Sequence, residues 1–326
     1  MKSLVTILRA TAIGFLVAWA GTGAMAQSSY PCPVVKIVSP YPPGGTTDIL
    51  SRLLAPGLAK ELGTAVIVEN KGGASSNIGT AFVSSAAPDG CTLLLGNNTG
   101  VVINRNLYKL RLDPVTTLAP VVEVASVPLV LYVNAAESAK SVDQLVAAVR
   151  ANPGKYSFAS GGSGSPQHLM GELLKLEMGL DMTHIPYRGQ GPALQDVIAA
   201  QVPVAFETTT AIASQLGSGR IRALATTGSE RSKNLPDIPT MKELGYTSFV
   251  IENWYGIFVP IKTPAPLVDR LNRDMFKVLQ SPDVSKRLVE MGSREMSGSP
   301  KQFSQFIAKE LPYWASLVKR SGAKVD

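Results

Sequence analysis

Two copies of one local device constrain this chain more than anything else in it. The first is Val35-Lys36-Ile37-Val38-Ser39-Pro40-Tyr41-Pro42-Pro43-Gly44-Gly45-Thr46-Thr47-Asp48. An apolar run ends in prolines that cannot continue a ladder. Two glycines follow, free to take backbone angles closed to other residues. Thr46, Thr47 and Asp48 are helix-start residues, and Ile49, Leu50, Leu53, Leu54 and Leu58 then recur at helical spacing. The spacing predicts strand, tight loop, helix. The second copy is Tyr156–Ser160, then Gly161-Gly162-Ser163-Gly164-Ser165-Pro166, then a helix through Leu169, Met170, Leu173 and Leu174, with Pro166 suited to its first turn. A loop of this kind leaves backbone N–H groups pointing out of a helix N-terminus, where an anion is welcome. Ordinary strand-to-helix turns are the simpler reading of either loop alone. Two donor-rich loops far apart in the chain point instead to one anion held between two lobes.

Strand-like and helical runs alternate around these units. Ala65–Glu69, Thr92–Gly96, Val202–Glu207 and Arg222–Thr227 read as strands, and Asn70–Ser75 as a further glycine loop before a helix. Such alternation predicts an α/β fold with mostly parallel sheets flanked by helices, with binding groups at the carboxyl ends of the strands. Leu118–Asn134 and Phe249–Pro260 are long and β-rich and are expected to carry the chain between lobes and back. The expected division is 1–26 signal peptide, 27–126 first lobe, 127–250 second lobe and 251–326 return to the first. Two crossings make a hinge able to close on a ligand.

The start of the chain carries an export pattern. Lys2 and Arg9 precede the apolar run Ala12–Ala20, and Ala24-Met25-Ala26 supplies a cleavage site, which predicts a periplasmic protein beginning at Gln27. Beyond it stand 29 basic and 24 acidic residues, a mild net +5. With no Lys/Arg-rich run and no aromatic–basic ladder, nucleic acid is not expected as a partner. Two cysteines, Cys32 and Cys91, each sit at the start of a strand-like run. If those strands are neighbours the sulfurs lie at one end, where an exported protein keeps a bridge oxidised; two buried free thiols are the alternative. With two histidines and no close spacing, no metal site is expected.

Catalysis is poorly served. Gly161–Ser165 approaches the nucleophile elbow G-x-S-x-G, but its fifth residue is Ser165. His168 falls on the same helix as the loop, where it caps or packs. No phosphate loop, dinucleotide fingerprint or paired carboxylates appear, so no cofactor is expected and binding is favoured over an enzyme. Asp48 either bonds the free N–H groups of its own helix or faces a ligand that carries an ammonium or hydroxyl. Glu207 poses the same question. Tyr41, Tyr187 and Trp254 are either cleft walls or core.

The series Pro40–Asp48, Val68-Glu69-Asn70-Lys71, Asn77-Ile78-Gly79, Pro88-Asp89-Gly90, Ser163–Leu169, Pro186-Tyr187-Arg188-Gly189, Leu235–Thr240 and Trp254-Tyr255-Gly256 resembles the tripartite tricarboxylate transporter receptors, or Bug receptors, in register over nearly all the chain after the signal. The resemblance implies a two-lobed periplasmic binding protein of type II, the Venus flytrap. Such a receptor hands a small carboxylate to a two-component membrane permease and is expected to be a monomer. It further implies a ligand site at Tyr41, Pro42, Gly44, Gly45, Thr46, Thr47, Asp48, Asn98, Thr99, Ser160, Gly162, Ser163, Gly164, Ser165, Tyr187, Glu207 and Thr208. Cys91 departs from the family, in which Tyr is common at that position, and Cys32 is not a general feature. Glu207 stands where Asp is frequent. A sensor signalling through a two-component kinase ectodomain is the second reading, and a secreted hydrolase a remote third.

Overall fold

The computed structural model describes residues 30–293 and 298–325; the expected signal peptide lies outside them. The elements run β1 (Val34–Ser39), α1 (Thr46–Leu62), β2 (Ala65–Asn70), α2 (Asn77–Ser84), β3 (Thr92–Asn97), a one-turn α3 (Pro114–Thr117) and β4 (Leu118–Asn134). Next come α4 (Val142–Ala151), β5 (Tyr156–Ser160), α5 (Pro166–Met178), β6 (Met182–Pro186), α6 (Gln190–Ile198), β7 (Val204–Thr208), α7 (Thr209–Leu216) and β8 (Ile221–Thr226). The chain ends with β9 (Glu252–Pro260), α8 (Ala265–Gln280), α9 (Pro282–Glu290) and α10 (Pro300–Ser321).

β4 organises the sheet. From Leu118 to Pro128 it pairs antiparallel with β9, and from Leu129 to Val133 with β7. The change of partner falls at Pro128, which has no N–H to give a ladder. One half-sheet is therefore β2-β1-β3-β9-β4 and the other β8-β4-β7-β5-β6. Parallel pairing holds for β1 with β2 and β3, and for β5 with β6 and β7. The antiparallel insertion of β9 beside β3 is a departure from the parallel sheet that alternation predicts. It arises because the chain returns from the second half with no crossover helix ahead of β9. Thr227 knits the return to the outgoing strand. It accepts from Leu129 N through Oγ1 at 2.9 Å and donates from Oγ1 to Ile251 O at 2.7 Å.

The glycine loops fold as their residues require. Gly44 takes φ +90° and Gly45 becomes the extended N-cap of α1. Ser165 caps α5 by accepting from His168 N at 3.3 Å, with Pro166 in the first turn. After β3 the chain forms a π-helical turn, Thr99–Ile103. Asn98 Oδ1 accepts from Thr99 N, and Asn97 Oδ1 from Gly100 N, so two adjacent amides satisfy the donors of its first turn.

Helix α10 lies across both halves. Phe303 packs on Gly256 and Trp254 of β9, whereas Arg320 pairs with Glu177 of α5 at 2.8 Å. Cys32 and Cys91 are joined by a disulfide that closes a loop of sequence separation 59. A cross-link of that span restricts the unfolded chain by about 4 kcal/mol.

Candidate functional site

The two halves meet where the carboxyl ends of β1, β3, β5 and β7 face one another. A small internal cavity lies there, lined by Tyr41, Thr47, Asn97, Thr99, Gly161, Ser165, Gln167, Gln190, Asn253 and Tyr255. Every one of these side chains is uncharged, yet most can donate a hydrogen bond. The cavity is about 10 Å³, close to the room one water-sized sphere needs. Tyr41 and Gly161 also line an outer groove of about 770 Å³, with Pro42, Gly162, Ser163, Tyr187 and Arg188.

Direct bonds hold the halves together around the cavity. Thr46 N, at the uncapped start of α1, donates to Gln190 Oε1 at 2.9 Å. Thr46 Oγ1 and Thr208 Oγ1 lie 2.8 Å apart, joining the N-termini of α1 and α7. Across the outer groove the Ser163 carbonyl accepts from Ser75 Oγ at 2.6 Å and from Tyr108 Oη at 3.0 Å. Each bond links a helix-start loop of one half to the other.

Of the residues implied as ligand-binding, Tyr41, Thr47, Thr99 and Ser165 line the cavity, and Pro42, Gly162, Ser163 and Tyr187 line the groove. Gly45, Thr46 and Thr208 sit at the junction just described. Of the other six, Gly44 lines a separate surface pocket with Pro43 and Ile49, and five stand behind. Asp48 turns toward its own loop, where it accepts from Gly44 N at 3.1 Å, Arg52 Nε at 3.0 Å and Asn70 Nδ2 at 3.0 Å. Burial alone would raise its carboxyl, but the bonds from Arg52, Gly44 and Asn70 outweigh that and hold it below its ordinary value. Asn98 donates to Glu252 O and accepts from Thr99 N. Ser160 bonds His184, and Gly164 N donates to His168. Glu207 is buried and accepts from Gln167 Nε2 at 2.9 Å and Thr208 N at 2.7 Å. Burial pushes it up to about 7, against the pull of those bonds. Asp48 thus shapes the first loop. Asp48→Ala should cost about 1–2 kcal/mol of stability and, through a loosened Gly44–Thr46 segment, weaken ligand binding roughly tenfold; denaturant titration and calorimetry check the pair.

Gln167, Gln190, Asn253 and Tyr255 line the cavity without standing among the residues implied as ligand-binding. Asn253 and Tyr255 alternate on β9, so they share a face; that face becomes a cavity wall because Asn97 pairs with Tyr255. The period-2 signal was present, but the partner strand was not legible. Gln190 is the first residue of α6 after Gly189, which has φ +119°. Burial raises the Tyr41 phenol, and Thr99, Asn97 and Ser76 only partly offset this. Burial raises Tyr255 likewise, so both remain neutral hydroxyls.

An anion placed in this cavity would meet dipoles and hydroxyls and no countercharge, a donor set suited to a carboxylate. Comparison with known proteins agrees with that chemistry. The sequence pattern described as tripartite tricarboxylate transporter family receptor matches residues 50–323. Protein BugT of Bordetella pertussis (strain Tohama I) is 38% identical over 320 residues, covering 96% of this chain and 97% of BugT. The structure of an R. palustris protein with adipate superposes with TM-score 0.88 at 31% identity, over 91% of this chain and 100% of that one. MatC from Rhodopseudomonas palustris with bound malate gives TM-score 0.84 at 30% identity, over 89% of this chain and 100% of MatC. The structural matches cover about nine-tenths of the chain, and the two-lobed binding-protein fold is common to them. The chain belongs to the tripartite tricarboxylate transporter receptors, a family of periplasmic solute-binding proteins and not of enzymes.

Proposed function

We propose that this protein captures a small carboxylate between its two lobes in the periplasm and presents the closed form to a two-component permease of the tripartite tricarboxylate type. The observation that carries the reading is the neutral, donor-lined cavity bridged by Thr46–Gln190 and Thr46–Thr208. One lobe is residues 27–126 with 251–326 and the other is 127–250, with cleavage of the leader near Ala26. The hinge lies at Pro128–Leu129 and Thr227–Ile251, where Thr227 joins the two passages. A cavity with room for about one water cannot admit a dicarboxylate, so entry requires the lobes to part. The carboxylate then docks on the Ser160–Ser165 loop, and closure brings the Pro42–Asp48 loop onto it. Excluding water strengthens each charge-assisted bond. Relatives hold adipate and malate, so short dicarboxylates and hydroxy acids head the ligand classes to test.

A thermal-shift screen of refolded, ligand-stripped protein against mono-, di- and tricarboxylates, amino acids and aromatic acids tests this. A carboxylate at a hundred times its Kd stabilises the folded state by about 2.7 kcal/mol and raises Tm accordingly. No shift with any carboxylate would remove the reading.

A further inference from the structure

The chain has two histidines, and the fold stacks them directly behind the second glycine loop. The His168 and His184 rings lie 3.8 Å apart with an interplanar angle of 12°. Each ring holds one part of the loop. Gly164 N donates to His168 Nδ1 at 3.0 Å, and Ser160 Oγ lies 2.7 Å from His184 Nε2. Ser160 Oγ in turn accepts from Gly162 N at 3.2 Å. The loop needs such support, because Gly162 at φ +133° and Gly164 at φ +83° leave it no regular backbone ladder. Gly161 and Ser165 of the same loop line the cavity.

We propose that the stacked His168–His184 pair positions the Gly161–Ser165 loop for anion binding, and that it does so only while His168 is neutral. The reason is valence. A ring nitrogen that accepts an N–H carries no proton of its own, so His168 holds its single proton on Nε2. A second proton has only Nδ1 to occupy, where it would face the Gly164 N–H donor to donor. The bond would break and the loop would lose its rear anchor. Among the described residues, the charged and titratable groups facing the pair come from three places. On α5, Glu172 Oε1 lies 3.8 Å from His168 Nε2, and Lys175 bonds Glu172 at 2.9 Å. On β6 there is His184 itself, which burial, then His168 and Lys175, push down to about 3. Beside the loop, the Tyr108 phenol bonds Ser163 O. β5 contributes the uncharged Phe158, stacked on both rings. Glu172 thus draws a proton toward His168 while the neighbouring ring and Lys175 oppose it.

This rests on the carboxylate-binding reading only for its consequence, so the first test needs no ligand. Imidazole nitrogen NMR of the ¹⁵N-labelled protein resolves two rings, and amide exchange reports on Gly162 and Gly164. At pH 7.5, His168 is expected as the Nε2–H tautomer with both amides protected. By pH 5.0, intrinsic-rate-corrected exchange at the two glycines should rise about tenfold, the factor that corresponds to one lost hydrogen bond, while β1 and β3 amides do not change. His168→Asn, which keeps an acceptor near Nδ1 but cannot take up a proton, should flatten that response. His168→Leu should expose the loop at every pH. Affinity for L-malate and adipate, corrected for their own ionisation, should fall in parallel in the wild type, and His168→Asn should recover most of what His168→Leu loses. Protection that stays flat to pH 5.0, or falls equally in His168→Asn, would overturn the proposal. Loop exchange that behaves as expected with neither acid binding would leave the positioning role standing and count against the ligand reading.

Discussion

Gly162→Ala is expected to lose about 1–3 kcal/mol of folding stability and, beyond that, to bind its carboxylate roughly fivefold more weakly than the wild type, a loss of about 1 kcal/mol. The two effects have separate causes. Gly162 has φ +133°, a region that L residues occupy at a cost of order 1–3 kcal/mol. A methyl group there would also stand 2.7 Å from Ser75 Oγ and 3.3 Å from Tyr187 O. Ser75 can escape only by rotating, which breaks its bond to Ser163 O across the groove, worth about 1 kcal/mol. That second cost falls on the closed form alone, because Ser75 and Gly162 belong to opposite half-sheets. Binding should therefore carry only the lost bond, whereas Tm carries the backbone strain. Calorimetry with whichever carboxylate raises Tm measures the first and a melting curve the second. Gly217→Ala is the control, since a methyl group there meets nothing within 4 Å. The double variant with Ser75→Ala should lose less than the sum of the two singles, because the clash partner is gone. Wild-type affinity in Gly162→Ala would show that the loop does not close on the ligand.

How far this behaviour was legible in the sequence depends on the kind of signal. Local chemistry was plain. Pro42 to Thr47 and Gly161 to Pro166 specify a loop and a helix start with no outside help, and the structure places both where alternation expects them. Ser141 over Gln144 at the start of α4 is a second such case. Contacts made by chain closure were less accessible. β9 reads from sequence as a β-rich crossing, and only pairing between β3 and β4 turns Asn253 and Tyr255 toward the cavity. Gln190 looks like any polar residue in a first helical turn until the halves meet and its amide caps Thr46. Asp48 shows the limit from the other side. Both of its readings fitted the sequence, and the choice was made by Asn70, which arrives from the end of β2 to bond the carboxylate beside Arg52. Residue type and spacing fix what a side chain is able to do, whereas topology decides which neighbour takes up the offer.

Glu207 carries the second large effect, and here the fold works against its own stability. The side chain is 1% exposed and its described partners, Gln167 Nε2 and Thr208 N, are neutral donors. Burial raises the carboxyl to about 7, from an ordinary 4.5. The folded state therefore binds more protons than the unfolded chain between those values, and stability must fall as pH rises through the window. The contribution is full below about pH 4.5 and lost above about 7, and the shift corresponds to about 3 kcal/mol. Glu207→Gln keeps an oxygen for both donors and has no charge to bury. Relative to the wild type it should gain about 3 kcal/mol between pH 4.5 and 8, or roughly 5 °C in Tm for a chain of this size. Urea titrations of both proteins at the two pH values read the difference directly, and contributions from every other group cancel between them. A stability difference that does not change with pH would mean that Glu207 is ionised throughout, held by a countercharge or by water that reaches it through the cavity. Such access would place the carboxylate in contact with whatever occupies the cleft, so the same titration decides whether Glu207 supports the site from behind Gln167 or takes part in it.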